Sequence, residues 1–313
     1  MPRSYRYLHY DVFTDRALAG NQLAVYLDGR GLSDDMMQAV AKEMNFSETT
    51  FVLPPETKGT DVRMRIFTPG AELPMAGHPV IGSTFALARS GVIEPGRKHF
   101  VFGLGVGPLS VALKWKGHRG AGAPGMDDDL QFAWMTQLKP VFGEPIADPA
   151  LAAAALSLSA AAVTGTGKPV QTVSCGVPFL FVPLTTRRAV DSAVLDRAEY
   201  DALVHGMSPR PNGVFLFSAE RSERATVYSR MFAPDLGVGE DPATGSASGP
   251  LGCYLVRHKI VKPGKAGSMV SLQGVKMGRP SHVHIAIGVH GSEISSVQVG
   301  GHSVLAGEGT LYV

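Results

Sequence analysis

Cysteine is nearly absent: the 313 residues hold two, Cys175 and Cys253. Two thiols so far apart in the chain build no disulfide scaffold, no zinc ribbon and no CxxC redox pair. Charge is sparse as well. Charged residues make up 18 %, and 29 Lys and Arg against 27 Asp and Glu leave a net charge of +2. That is too balanced for a protein that grips nucleic acid electrostatically. Long apolar runs are missing too. The start, MPRSYRYLHY, lacks the apolar centre of a signal peptide. The charge-free stretch 149–167 is rich in alanine and poor in large apolar side chains, so no membrane span is expected. These absences predict a cytoplasmic protein with neither nucleic acid nor membrane as partner.

Turn chemistry is abundant. The chain has 37 glycines and 22 prolines, clustered between short apolar or alternating runs such as 22–27, 61–67, 213–217 and 281–288. That pattern reads as a strand-rich α+β fold with few helices. One helix is expected over 33–44, with Ser33 as N-cap, Asp34 and Asp35 in the first turn and Asn45 at the end. Its apolar face is Met36, Met37, Val40 and Met44. A second helix is expected to start at Pro79 and run to about Arg89, with Gly91 just past its end. A third, over 244–258, carries Pro250, which should kink or shorten it.

At about 150 residues per domain the length predicts two domains, or one large one. A Gly/Asp-rich stretch, GHRGAGAPGMDDD at 117–129, reads as a linker between them. The two parts resemble each other. RIFTP at 65–69 and RMFAP at 230–234 match in Arg, Phe and Pro at a spacing of 165. Each is followed by an acidic loop, a Gly-rich turn and a helix start. This order points to an internal duplication. Two domains related by a pseudo-twofold axis would each aim a helix N-terminus, with its free N–H groups, at a shared cleft suited to a carboxylate.

Glu48, in NFSETTFVL (45–53), sits at the mouth of a strand and shares a face with Thr50 and Val52. If that face is buried, the carboxyl has a raised pKa and can shuttle protons near neutral pH; otherwise it is a solvated strand-end acid. His78, in AGHPVIG, occupies the N-cap of the second helix, as ligand partner or plain cap. Asp241, in EDPATGSA, begins the second Gly turn, as site residue or turn starter. Gly245 and Ser246 start the third helix and can donate to an anion. His282 and His284 alternate on a strand without a third ligand at metal spacing. No dinucleotide fingerprint, Walker loop or nucleophile elbow is present. Cys253 reads as core, and Cys175, before a glycine, as core or a reactive thiol.

Together the segments YDVFTDRALAGNQLAVY (10–26), NFSETTFVL (45–53), ELPMAGHPVIGS (72–83), EDPATGSA (240–247) and QGVKMGRPSHV (273–283) resemble the phenazine-biosynthesis PhzF-like family over nearly the whole chain. Val80 departs from the threonine more usual after GHP. The resemblance implies a diaminopimelate-epimerase-like fold: two related domains, each a barrel-like sheet around a central helix. The domains expected are 1–125, with Glu48 and the GHP turn, and 126–313, with the DPATGSA turn and a last strand able to cross back. The implied activity is a cofactor-independent isomerase, without metal, that moves a proton on a small cyclic carboxylic acid such as trans-2,3-dihydro-3-hydroxyanthranilate. Carried over, Glu48 is the proton shuttle, and His78 and Asp241 assist it. Ser47, Gly77, Gly245 and Ser246 surround the substrate. The implied partners are a small anionic metabolite and a second copy of the chain in a homodimer. One alternative is a catalytically silent anion-binding protein of the same fold. The other is a two-thiol racemase or epimerase, which would need cysteines where this chain has Ala76 and Pro242.

Overall fold

Short β-branched and aromatic runs between Gly and Pro turns form the strands, and the sequence doubles back on itself to repeat one pairing scheme. The computed structural model describes residues 3–116, 130–220, 225–291 and 293–313. The linker expected at 117–129 lies outside the described residues. Two compact units are formed, one of Met1–Thr136 with Gly300–Val313, the other of Gln137–Val299. Strand Leu130–Gln137 pairs with Gly107–Trp115, and strand Ser303–Tyr312 pairs with Ser4–Val12.

In the first unit, Asn21–Tyr26 runs parallel to Glu48–Leu53, which pairs antiparallel with Val62–Phe67. Val62–Phe67 runs parallel to His99–Leu104, which turns back as Gly107–Trp115. The second unit repeats each step. Pro178–Pro183 runs parallel to Val214–Ser218, which pairs antiparallel with Val227–Phe232. Val227–Phe232 runs parallel to Met269–Gln273, which turns back as Ser281–His290. Strands Val62–Phe67 and Val227–Phe232 carry the RIFTP and RMFAP matches. The topology is therefore strand-rich α+β, built twice.

Parallel neighbours need a crossover connection, and the crossovers from Val62–Phe67 to His99–Leu104 and from Val227–Phe232 to Met269–Gln273 each carry a central helix. Gly77–Arg89 fills that place in the first unit and Gly245–Arg257 in the second, each of 13 residues. Both are buried on every side, over Gly77–Leu87 and over Ala247–Leu255. Their composition explains this, since they are small and apolar all round rather than striped. Gly82 shows how close the fit is: a Cβ there would lie 2.6 Å from Leu23 Cδ2 and 2.7 Å from Val12 Cγ2.

Two sequence expectations are corrected. Pro250 neither ends nor shortens its helix, which runs unbroken from Gly245 to Arg257. The lost N–H bond is tolerated because the surrounding sheet, not helix propensity, holds the segment. The first helix spans Asp34–Met44, with Ser33 Oγ accepting from Met36 N–H at 3.2 Å and Asn45 left-handed at its end. Its buried residues are Met37, Val40 and Ala41, while Met36 is 38 % exposed. The helix therefore presents a face rotated from the one the methionines suggested.

Candidate active site

Glu48 opens the strand Glu48–Leu53, and helices cover both faces of that strand. Phe51 packs in a cluster with Met37, Val40 and Ala41 of the Asp34–Met44 helix. Thr50 Oγ1 meets Ser83 Oγ of the central helix at 3.0 Å. Alternation then turns Glu48, with Thr50 and Val52, toward the central helix. At its first turn, His78 Nε2 stands 3.1 Å from Glu48 Oε2. The His78 side chain is 3 % exposed and that of Glu48 15 %.

His78 is not the N-cap expected of it. The helix begins at Gly77, Ala76 is the N-cap, and Pro79 is the third helical residue rather than the first. Proline is tolerated there because first-turn N–H groups have no intrahelical acceptor. The other ring nitrogen, Nδ1, lies 3.1 Å from Asn21 Nδ2, and Asn21 is fully buried. Burial pushes the imidazole down to about 3, against a backbone hydrogen bond at Gln22 that favours its charged form. The ring is thus neutral at physiological pH, bracketed by an amide and a carboxylate. Ser47, half-buried, directly precedes Glu48 in the chain, and Gly77, buried, directly precedes His78.

In the second unit, Asp241 is 6 % exposed and accepts a 2.5 Å hydrogen bond at Oδ2 from Thr244 Oγ1. Gln273, fully buried, ties this turn together. Its Nε2 donates to the Asp241 carbonyl at 2.8 Å and to Thr244 Oγ1 at 3.0 Å, and its Oε1 accepts from Thr244 N–H at 3.1 Å. Thr244 Oγ1 therefore accepts from Gln273 while donating to Asp241, a chain in which each bond polarises the next. Gly274 follows with φ +74°, where a Cβ would lie 2.6 Å from the Pro242 carbonyl oxygen. Gly245 and Ser246 form the first turn of the helix, Gly245 buried and Ser246 half-buried. Neither central helix has a side-chain N-cap hydrogen bond or an acidic residue in its first turn. Both starts keep their positive dipole ends.

Glu48 and His78 are thus brought together, and Asp241 is joined to the start of its helix. Sequence reasoning missed Asn21, Thr244 and Gln273. All three stand inside the matched segments AGNQLAVY, EDPATGSA and QGVKMGRP. A polar residue beside a glycine at a strand or helix end was the only local signal.

The thiols lie elsewhere. Cys175 and Cys253 are buried in the core of the second unit with Sγ atoms 3.9 Å apart. The hydrogen bond with Cys175 and burial push the Cys253 thiol up. Ala76 and Pro242, buried at the two turns, offer no group that transfers a proton. Among the described residues, no three or more His, Cys, Asp and Glu side chains group to hold a metal ion. No helix among them is long and apolar enough to cross a membrane.

The family model for phenazine biosynthesis-like proteins, PhzC-PhzF, matches residues 10–309. An uncharacterized isomerase of Mesorhizobium japonicum is 35 % identical over 316 residues, covering 98 % of each chain. The trans-2,3-dihydro-3-hydroxyanthranilate isomerase of Pseudomonas aeruginosa is 35 % identical over 309 residues, covering 99 % of this chain and 100 % of its own. A Bacillus anthracis PhzF-family crystal structure superposes with a TM-score of 0.83 at 24 % identity, covering 99 % of this chain and 100 % of its own. The duplicated topology, the Glu48–His78 pair and these matches place the chain in the PhzC-PhzF family of phenazine biosynthesis-like proteins, as an enzyme of the isomerase class.

Proposed function

We propose that this isomerase moves a proton on a small cyclic carboxylic acid of the trans-2,3-dihydro-3-hydroxyanthranilate type, with Glu48 as the shuttle. The observation that carries the reading is the 3.1 Å approach of a buried, neutral His78 to the Glu48 carboxylate. On this reading the Asn21 amide donates to Nδ1 and the ring carries its N–H on Nε2, 3.1 Å from Glu48 Oε2. Glu48 is then held in place as a carboxylate with its remaining lone pairs directed to substrate.

In the reaction, Glu48 takes a proton from one ring carbon and becomes a neutral acid. The electron pair left behind delocalises through the adjacent double bond. The carboxyl proton exchanges with solvent, and Glu48 delivers a proton to a second ring carbon, so one proton leaves, one is added, and atoms and charge balance without a cofactor. His78 and Asp241 steady the ring substituents. Gly245 and Ser246 supply first-turn N–H groups to the substrate carboxylate, and Ser47 and Gly77 border the reacting atoms. A homodimer, implied by the family resemblance, is part of this reading, and sedimentation velocity checks it.

The deciding assay runs dihydro-hydroxyanthranilate with the enzyme in D2O. Deuterium should enter product carbon with wild type and not with Glu48→Gln. Full exchange in Glu48→Gln overturns the role of Glu48. Saturable binding of the acid with no exchange in wild type marks a binding protein of the same fold instead.

A further inference from the structure

The matched arginines of the two repeats make the same contacts. In the first unit, Arg65 Nε and Nη2 donate to Glu72 Oε1 and Oε2, both at 2.7 Å. In the second, Arg230 Nε and Nη2 donate to Glu240 Oε1 at 2.9 Å and Oε2 at 2.8 Å. Each guanidinium also lies over the phenylalanine two residues on, 5.1 Å from the Phe67 centroid and 4.8 Å from that of Phe232. In each, Nη1 reaches a third place. Arg65 finds the Asp34 carboxylate, and Arg230 the carbonyls of Val190 and Ala193 at 3.0 and 2.8 Å. Side-chain exposure is 11 % for Arg65 and 8 % for Arg230.

A solvated ion pair contributes little, but a bidentate one fixes both direction and register; the Arg230–Glu240 pair is also nearly buried, with Glu240 16 % exposed against 43 % for Glu72. In each unit the glutamate stands between strand and central helix, Glu72 in the short strand Glu72–Leu73 and Glu240 on a loop. In the second unit it is the residue next to Asp241. We infer that these Arg–Glu pairs are duplicated positioning clamps, and that Arg230 and Glu240 set the backbone from which Asp241, Thr244 and Gly245 address the substrate. The effect on turnover rests on the function proposed above; the effect on the loop does not. Lysine cannot replace the arginine, because an ammonium has no planar fork to engage both carboxylate oxygens.

The test compares Arg230→Lys, the isosteric Glu240→Gln and a control, Arg197→Lys, which alters an exposed ion network. Amide hydrogen exchange reads the loop through Asp241 N–H, bonded to the Met231 carbonyl, and Thr244 N–H, bonded to Gln273. Both amides should exchange at least about tenfold faster in the two clamp variants, with strand Pro178–Pro183 unchanged. In the deuterium assay kcat should fall about tenfold or more, with KM moving less than about threefold, since misplacement costs rate rather than uniform binding. Thermal melts establish that each variant is folded at the assay temperature. Wild-type protection at Asp241 and Thr244 in both clamp variants overturns the inference, as does kcat within twofold of wild type. If wild type itself turns over no such acid, the functional reading falls, and the exchange rates still decide the clamp.

Discussion

Thr50 Oγ1 and Ser83 Oγ, both fully buried, meet at 3.0 Å between the strand that carries Glu48 and the helix that carries His78. Two residues back along the strand is Glu48, and five back along the helix is His78. This hydroxyl pair sets how far the helix is slid along the strand, and so the distance between acid and imidazole. Thr50→Val keeps the shape and strands the Ser83 hydroxyl. Urea unfolding should show a loss of about 1–3 kcal/mol, with kcat lowered in parallel. A variant as stable and active as wild type would mean that packing alone sets the register.

Asn21 Nδ2 stands 3.1 Å from His78 Nδ1, and we predict that it holds the ring in the Nε2–H tautomer. Nitrogen-15 spectra should find the imidazole neutral at pH 7 with its proton on Nε2. Asn21→Leu should shift the tautomer balance and cost about tenfold to a hundredfold in kcat, within the range of general acid–base contributions. A proton found on Nδ1, bonded to the Gln22 backbone, would overturn the relay from Asn21 to Glu48.

Stability should depend on pH through His78. Its folded pKa is pushed down to about 3 from 6.5 by burial. Between these values the unfolded chain binds a proton that the folded chain refuses. Stability is then full above pH 6.5 and falls as pH drops, by up to about 1.4 kcal/mol per unit. Denaturant titrations of wild type and His78→Gln from pH 4 to 7 should differ by that slope. Parallel curves would show that the ring takes up its proton in the folded state.

Gly82→Ala places a methyl group into Leu23 and Val12. With both neighbours on strands that the helix already touches, overpacking should cost about 1–3 kcal/mol, read from the urea midpoint. A midpoint equal to wild type would show slack around the central helix.

The buried thiols should be inert. In native protein a water-soluble disulfide reagent should label neither Cys175 nor Cys253, and both should react on unfolding. Fast labelling accompanied by loss of activity would restore thiol chemistry to the enzyme.

Much of the site was legible because local rules govern it. Ser33, Asn45 and Gly91 mark helix ends through cap chemistry, and RIFTP and RMFAP mark equivalent strands. Glu48 stood out as an acid at a strand mouth. His78 was found, but its place in the helix was misread, since GHP suits either a cap or a first turn. Pro250 was misjudged because its cost is local, while the support that offsets it comes from a sheet distant in sequence.

The amino-acid sequence by itself determined the strand-rich class, the duplication and the family, since these are written in turn residues, spacing and motifs. Tertiary structure alone decided who meets whom. Asn21 reaches His78 across 57 residues, Gln273 reaches Thr244 across 29, and Cys175 reaches Cys253 across 78. Such pairs are set by parallel strand register and by helices close-packed onto those strands. No window of neighbouring residues encodes that geometry, because it exists only once the crossover has closed.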